Sequence, residues 1–133
     1  MPLPAARHIG MAIERPVADV YAFLAKPENW PPWASGLGGS FRRVGENEWR
    51  AVTPTGEATI RFSAPNAFGI VDHEVATADG ATVSVPMRVV ANGEGSEIVF
   101  TLFRQPRMSD QQFAADADWV ARDLATLKSI LEC

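Results

Sequence analysis

The sequence predicts an α+β fold: a curved, seven-stranded antiparallel sheet closed by one long C-terminal helix, with two short helices between the first and second strands. Two patterns predict it. From Ser40 to Arg104, short alternating apolar segments are punctuated by turn residues, and from Ser109 to Glu132 apolar residues recur at the helical period.

The closing helix carries its own start signal. Ser109-Asp110-Gln111-Gln112 has the form of a capping box, with the glutamine three residues after the serine. Phe113, Ala117, Val120, Leu124, Leu127 and Leu131 then form one apolar stripe, while Asp118, Arg122 and Lys128 fall mostly off it. At 1.5 Å per residue such a helix is about 35 Å long, enough to run the length of a sheet of ten-residue strands.

The remaining elements follow in chain order. His8–Glu14 alternates, with Ile9, Met11 and Ile13 on one face, and reads as the first strand. Pro16 suits a first helical turn, and Val17, Val20, Tyr21 and Leu24 share one side of a short helix that Lys26-Pro27 ends. Glu28-Asn29-Trp30-Pro31-Pro32-Trp33 has room only for a brief helical turn, and its two tryptophans suggest a plug against a core or the lip of a pocket. Strands are expected at Ser40–Val44, Glu48–Thr53, Ala58–Ala64, Gly69–Thr77, Thr82–Ala91 and Glu97–Arg104. Turns at Pro54-Thr55-Gly56, Pro65-Asn66, Asp79-Gly80 and Asn92-Gly93-Glu94-Gly95 make neighbours antiparallel.

Turn length sets register, and register sets which side chains share a face. A three-residue loop Ala78-Asp79-Gly80 places Val71, His73 and Val75 opposite Met87, Val85 and Val83. A four-residue loop Asn92–Gly95 places Val89, Met87, Val85 and Val83 opposite Ile98, Phe100, Leu102 and Arg104. On the other side, Ala58, Ile60 and Phe62 fall opposite Val75, His73 and Val71, and Trp49 and Ala51 oppose Phe62 and Ile60. One apolar face running through five strands results, interrupted by His73 in its middle and Arg104 at one strand end. His73 reads either as a core histidine satisfied by a hydrogen bond or as a polar contact, or proton donor and acceptor, inside an apolar cavity. Arg104 either reaches solvent or meets an acidic ligand group or Asp116 at the cavity mouth. Asp72 and Glu74 fall on the outer face and are expected to be solvated.

Several classes are excluded or left without support. A formal net charge of −4 argues against binding nucleic acid through phosphate attraction. The single cysteine, Cys133, rules out an internal disulfide, and with two histidines, His8 and His73, a histidine-rich metal site is excluded, so no metal and no cofactor is expected. Gly36-Leu37-Gly38-Gly39-Ser40-Phe41 lacks the third glycine and the lysine of phosphate-cradling loops. Neither a His-Glu-x-x-His motif nor a nucleophile elbow is present. The 133 residues are expected to form one domain, with no integral membrane segment and no signal peptide at Met1-Pro2-Leu3-Pro4, which makes cytoplasmic the expected location.

Strand, two short helices, six strands and a long helix is the element order of the helix-grip fold. The stretch Ile13-Glu14-Arg15-Pro16-Val17-Ala18-Asp19-Val20-Tyr21-Ala22-Phe23-Leu24, followed by Pro27-Glu28-Asn29-Trp30-Pro31-Pro32-Trp33, resembles the opening of polyketide cyclase/dehydrase-like proteins of the START-like (SRPBCC) superfamily. The segment from Phe113 to Glu132 is similar to their closing helix. The resemblance implies a deep apolar cavity between sheet and helix. Members bind lipids, sterols, polyketides or plant hormones, some catalyse cyclisation or dehydration, and others act on chaperones or as toxins; a homodimer is common among such folds. No single catalytic motif is shared, so none is carried over.

The resulting expectation is a protein that binds a small hydrophobic or amphipathic molecule. Its expected ligand contacts are His73, Trp33, Trp49, Phe62, Val85, Met87, Phe100, Arg104, Phe113, Ala117 and Val120. The alternatives are a cyclase, dehydrase or isomerase using His73 as general acid or base, and an interaction module with a filled core. A cavity of about 300 Å³ or more is the condition set for either ligand reading.

Overall fold

The computed structural model describes residues 3–37 and 40–133. Met1, Pro2, Gly38 and Gly39, the last two at the start of the expected strand region, lie outside the described residues. The described residues build eight strands and two α-helices in the order β1 (Ala6–Ile13), α1 (Val17–Leu24), β2 (Phe41–Gly45), β3 (Glu48–Thr53), β4 (Gly56–Phe62), β5 (His73–Ala76), β6 (Thr82–Val85), β7 (Met87–Asn92), β8 (Gly95–Phe103) and α2 (Asp110–Glu132). Short 3₁₀ turns at Pro27–Asn29 and Ser35–Leu37 follow α1.

The strands form two antiparallel sheets, of order β1-β8-β7 and β2-β3-β4-β5-β6, in place of the single seven-stranded sheet. Pro86 makes the division. Lacking an N–H, it cannot continue a ladder, and the expected strand Thr82–Ala91 breaks there into β6 and β7. The β7–β8 ladder has the expected register through Met87↔Phe100 and Val89↔Ile98. Beyond it Val85 and Val83 pair with His73 and Val75, not with Leu102 and Arg104. Backbone contacts suture the seam: Thr101 N donates to Pro86 O, Val71 N to Met87 O and Val89 N to Gly69 O, each at 2.9 Å. Asp72 adds to it, accepting from Met87 N (2.8 Å) and from Arg88 Nε and Nη2 (2.9 and 2.8 Å). Its side chain is therefore paired where solvation was expected, and the Arg88 hydrogen bond is the largest of the causes that hold its carboxyl below the usual range.

The β4–β5 and β3–β4 pairings differ from expectation by a slide of two residues. Phe62 and Ile60 face His73 and Val75, and Trp49 and Ala51 face Ile60 and Ala58. The first slide arises because the connection from Ser63 to Asp72 is a long structured loop instead of a Pro65-Asn66 turn. The second arises because Thr53 pairs directly with Gly56 around Pro54-Thr55. A slide of two keeps every side chain on its face, so Ile60, Phe62, His73 and Val75 still point inward.

Asn66 organises that long loop from within. Its Oδ1 accepts from Phe68 N (2.9 Å) and Ile70 N (3.1 Å), its Nδ2 donates to Ile70 O (2.9 Å) and Ala64 O (3.1 Å), and its own N–H donates to the Tyr21 hydroxyl (2.8 Å). Gly69 is required there, since its φ is +70° and a Cβ would stand 2.3 Å from Val89 O. Asn66→Ala is expected to cost roughly 2 kcal/mol, because several partly buried groups lose their partners together. A denaturation midpoint equal to wild type would show that the loop holds itself without this side chain.

The core packs mainly against the three-stranded sheet. Ile13, Val20, Leu24, Met87, Val89, Ile98, Leu124, Leu127 and Leu131 form one buried cluster with Trp30 and Trp33. The expected capping box starts α2, with Gln112 N donating to Ser109 Oγ and Ser109 N to Gln112 Oε1, both 3.1 Å. Its far end is tied to β1 and the turn after it. Lys128 Nζ donates to Ala12 O (2.7 Å), Arg15 Nη1 to Leu131 O (2.7 Å) and Glu14 N to Glu132 Oε2 (2.8 Å).

Candidate functional site

A cavity of about 220 Å³ lies between the five-stranded sheet, the middle of α2 and the segment from Trp30 to Leu37. Inward-facing positions of the strands supply one wall: Ile60 and Phe62 from β4, His73 and Val75 from β5, Val85 from β6 and Phe100 from β8. Trp119, Val120, Asp123 and Leu124 of α2 form the opposite wall, and Trp30, Trp33, Ala34, Gly36 and Leu37 close the remaining side. The prolines around Trp30 and Trp33 leave those rings on irregular backbone, where they plug the core. Trp30 Nε1 is satisfied by Leu24 O at 2.9 Å.

His73 stands in the sheet wall, 9% exposed and enclosed by rings. Trp30 meets it edge-on at 4.9 Å between centroids, with Phe62 at 6.1 Å and Phe100 at 6.4 Å. Its Nδ1 lies 3.1 Å from Val71 O. A carbonyl only accepts, so Nδ1 carries the proton and Nε2 of the neutral ring holds a lone pair. Burial pushes the pKa down to about 4, and the Val71 carbonyl and the charge of Asp72 offset this only in part. At neutral pH the ring is an uncharged acceptor, and Nε2 has no partner among the described residues.

The other polar groups of the wall mostly satisfy one another. Ser35 Oγ donates to Asp123 Oδ1 (2.7 Å) and accepts from Trp119 Nε1 (2.7 Å), while Ser35 N donates to Asp123 Oδ2 (3.3 Å). This triad fastens the Ser35–Leu37 turn to α2 beside the cavity, with Trp119 43% exposed at its edge. Desolvation raises the Asp123 carboxyl above its ordinary value, partly offset by the Ser35 hydrogen bonds. Trp33 Nε1 is buried and has no partner among the described residues.

Of the sequence-predicted contacts, Trp33, Phe62, His73, Val85, Phe100 and Val120 line this cavity together. The others lie elsewhere. Trp49 stacks on Phe41 at 4.7 Å, Met87 is fully buried in the main core, and Phe113 and Ala117 are buried on the first turns of α2 outside the cavity wall. Arg104 also lies outside it: Nε and Nη2 donate to Met108 O (3.0 and 2.8 Å) and Nη1 pairs with Asp110, not Asp116. It fastens the turn that leads into α2.

The prediction did not include Asp123, Trp119 or the Ala34–Leu37 stretch. Asp123 and Trp119 sit off the helical stripe, and spacing alone carries no sign that they face the cavity. Only docking of Ser35 brings them to the cavity.

The cavity is smaller than the roughly 300 Å³ set as the condition for either ligand reading, a figure typical of sites for drug-sized ligands. That condition is not met, and a fully enclosed sterol or long-chain lipid does not fit this conformation. A dry apolar cavity of roughly 150 Å³ accepts benzene, so the space here matches a compact molecule of one or two rings.

No protein-family profile matches the chain, and no curated protein matches it. Solved structures do. Ara h 8.0201 superposes over 96% of this chain and 97% of its own, with a TM-score of 0.69 and 14% identity. The Aha1 dimer of Colwellia psychrerythraea matches over 96% of both chains, with a TM-score of 0.73 and 13% identity. DynU16, from the dynemicin biosynthetic locus, matches with a TM-score of 0.70 at 14% identity, over 96% of this chain and 47% of that one. At these identities the likeness establishes a shared fold, consistent with the helix-grip element order.

Proposed function

We propose that this protein binds a compact, largely apolar molecule in the cavity between the five-stranded sheet and α2. The observation that carries this reading is a space of about 220 Å³ walled by aromatic and aliphatic side chains, with one neutral imidazole set among them. A merely structural core of this composition is ordinarily close-packed. The ligand is smaller than the lipids or sterols that the sequence left open.

Native mass spectrometry of freshly purified protein, followed by equilibrium dialysis against naphthalene, tests the reading. The expected result is either a co-purified small molecule or saturable uptake of one naphthalene per chain. A protein that carries nothing and takes up no naphthalene sinks it and leaves the packed interaction module.

An enzymatic reading rests on the unpartnered His73 Nε2 beside the cavity. A general base works best with a pKa near the operating pH, whereas burial holds this one at about 4. The ring is therefore a weak base and, at neutral pH, carries no proton to give from Nε2. Binding is the better supported function.

A further inference from the structure

Resting on that binding reading, we propose that the ligand is a neutral hydroxyaromatic molecule whose O–H donates a hydrogen bond to Nε2 of His73. The argument starts from which polar atoms of the wall have capacity to spare. Asp123 accepts from Ser35 through both oxygens, Ser35 Oγ both donates and accepts, and Trp30 Nε1 donates to Leu24 O, so each of these groups has at least one protein partner. His73 is different. Its Nδ1–H is committed to Val71 O, which leaves an acceptor on Nε2 and no donor.

An acceptor that lines an apolar cavity and has no protein partner gains a hydrogen bond from a ligand that supplies a donor. Trp33 Nε1–H also lacks a partner among the described residues, but the atom is fully buried and out of reach of a cavity ligand. A hydroxyl is the smallest aromatic substituent that donates to the histidine, whereas a carbonyl has no hydrogen to give.

Charge narrows the class further. No lysine or arginine lines the cavity, and its one acidic side chain is Asp123. A carboxylate or phosphate would enter an apolar space with no counter-charge, which is strongly unfavourable. The remaining surface offers ring faces and edges, which favour an aromatic body, and the volume limits it to one or two rings.

Equilibrium dialysis at pH 7 with 2-naphthol, naphthalene and 2-naphthoate provides the test. Wild-type protein is expected to bind 2-naphthol about tenfold more tightly than naphthalene, with 2-naphthoate weakest. His73→Leu is expected to lose the preference for naphthol over naphthalene, whatever its absolute affinity for naphthalene. A wild-type protein that takes up naphthalene without preferring naphthol overturns the inference and leaves the binding reading intact. So does a preference that survives in His73→Leu, or a tightest affinity for naphthoate. If none of the three binds, the binding reading falls and this inference falls with it. Long-range ¹H–¹⁵N spectra of the wild type give a readout independent of the variant's folding. The Nε2 resonance of His73 is expected to shift with 2-naphthol and to stay in place with naphthalene; equal shifts with both would count against the hydrogen bond.

Discussion

Lowering the pH from 7 to 4 is expected to cost wild-type protein about 3 kcal/mol more unfolding free energy than it costs His73→Leu. His73 has its pKa pushed from 6.5 to about 4 in the folded protein because the ring is buried. In the unfolded chain the ring takes up a proton near pH 6.5, while the folded protein resists it until about pH 4. The unfolded state therefore binds more protons across this window, and stability rises with pH through it. The advantage is complete above pH 6.5, shrinks as pH falls through the window, and changes no further below about 4.

Other groups titrate nearby. Asp72, Asp79 and Glu132 have carboxyls held low by hydrogen bonds, and they withdraw stability in the same direction at still lower pH. Asp116 and Asp123 are raised by desolvation and act the opposite way, since protonation relieves their burial. All five remain in the variant, so the difference between two urea titration series reports His73 together with its coupling to the Asp72 charge. Parallel curves for the two proteins from pH 7 to 4 would falsify the assignment of a buried, neutral imidazole.

The second large effect separates the two ends of α2. Leu127 has no exposed surface and packs in the main core, in the half of the helix tied to β1. Leu127→Ala is expected to cost about 3 kcal/mol, from lost burial and the void left behind, while leaving naphthalene affinity per folded molecule nearly unchanged. Val120 is only partly buried and lines the cavity. Val120→Trp is expected to place its added bulk in existing space, lowering naphthalene affinity at least tenfold while costing less than about 1.5 kcal/mol. Thermal unfolding and dialysis on both variants check the contrast. If the tryptophan destabilises as much as the alanine, the middle of the helix is packed core and no usable space faces it.

That contrast revises the division of the helix read from its stripe. Spacing alone identified Phe113, Ala117, Val120, Leu124, Leu127 and Leu131, and all but Val120 are buried, with Val120 half-buried. The division along its length was not legible. Phe113 and Ala117 lie beyond the cavity wall, which begins at Trp119 and ends at Leu124. A stripe reports which face is covered. Where the covering surface stands away from the helix depends on the curvature and splitting of the sheets.

Capping chemistry, hairpin loop lengths and alternation are local properties, and the sequence by itself determined what depends on them. These are the start of α2, the three-residue loop that sets His73 opposite Val85, the β7–β8 register, and the inward face carrying Ile60, Phe62, His73 and Val75. Tertiary structure alone decided where Pro86 divides the strands into two sheets, how the Asn66 loop slides β4 by two residues along β5, and that Asp72 is paired. It also decided that Ser35 brings Asp123 and Trp119 to the cavity. Each of these depends on groups far apart in the chain meeting in one geometry, and spacing along the chain carries no measure of that. The tautomer of His73 is of the same kind. A histidine within an apolar strand pattern is visible in the sequence, but whether its lone pair is spoken for depends on the Val71 carbonyl beneath Nδ1 and on what faces Nε2 across the cavity.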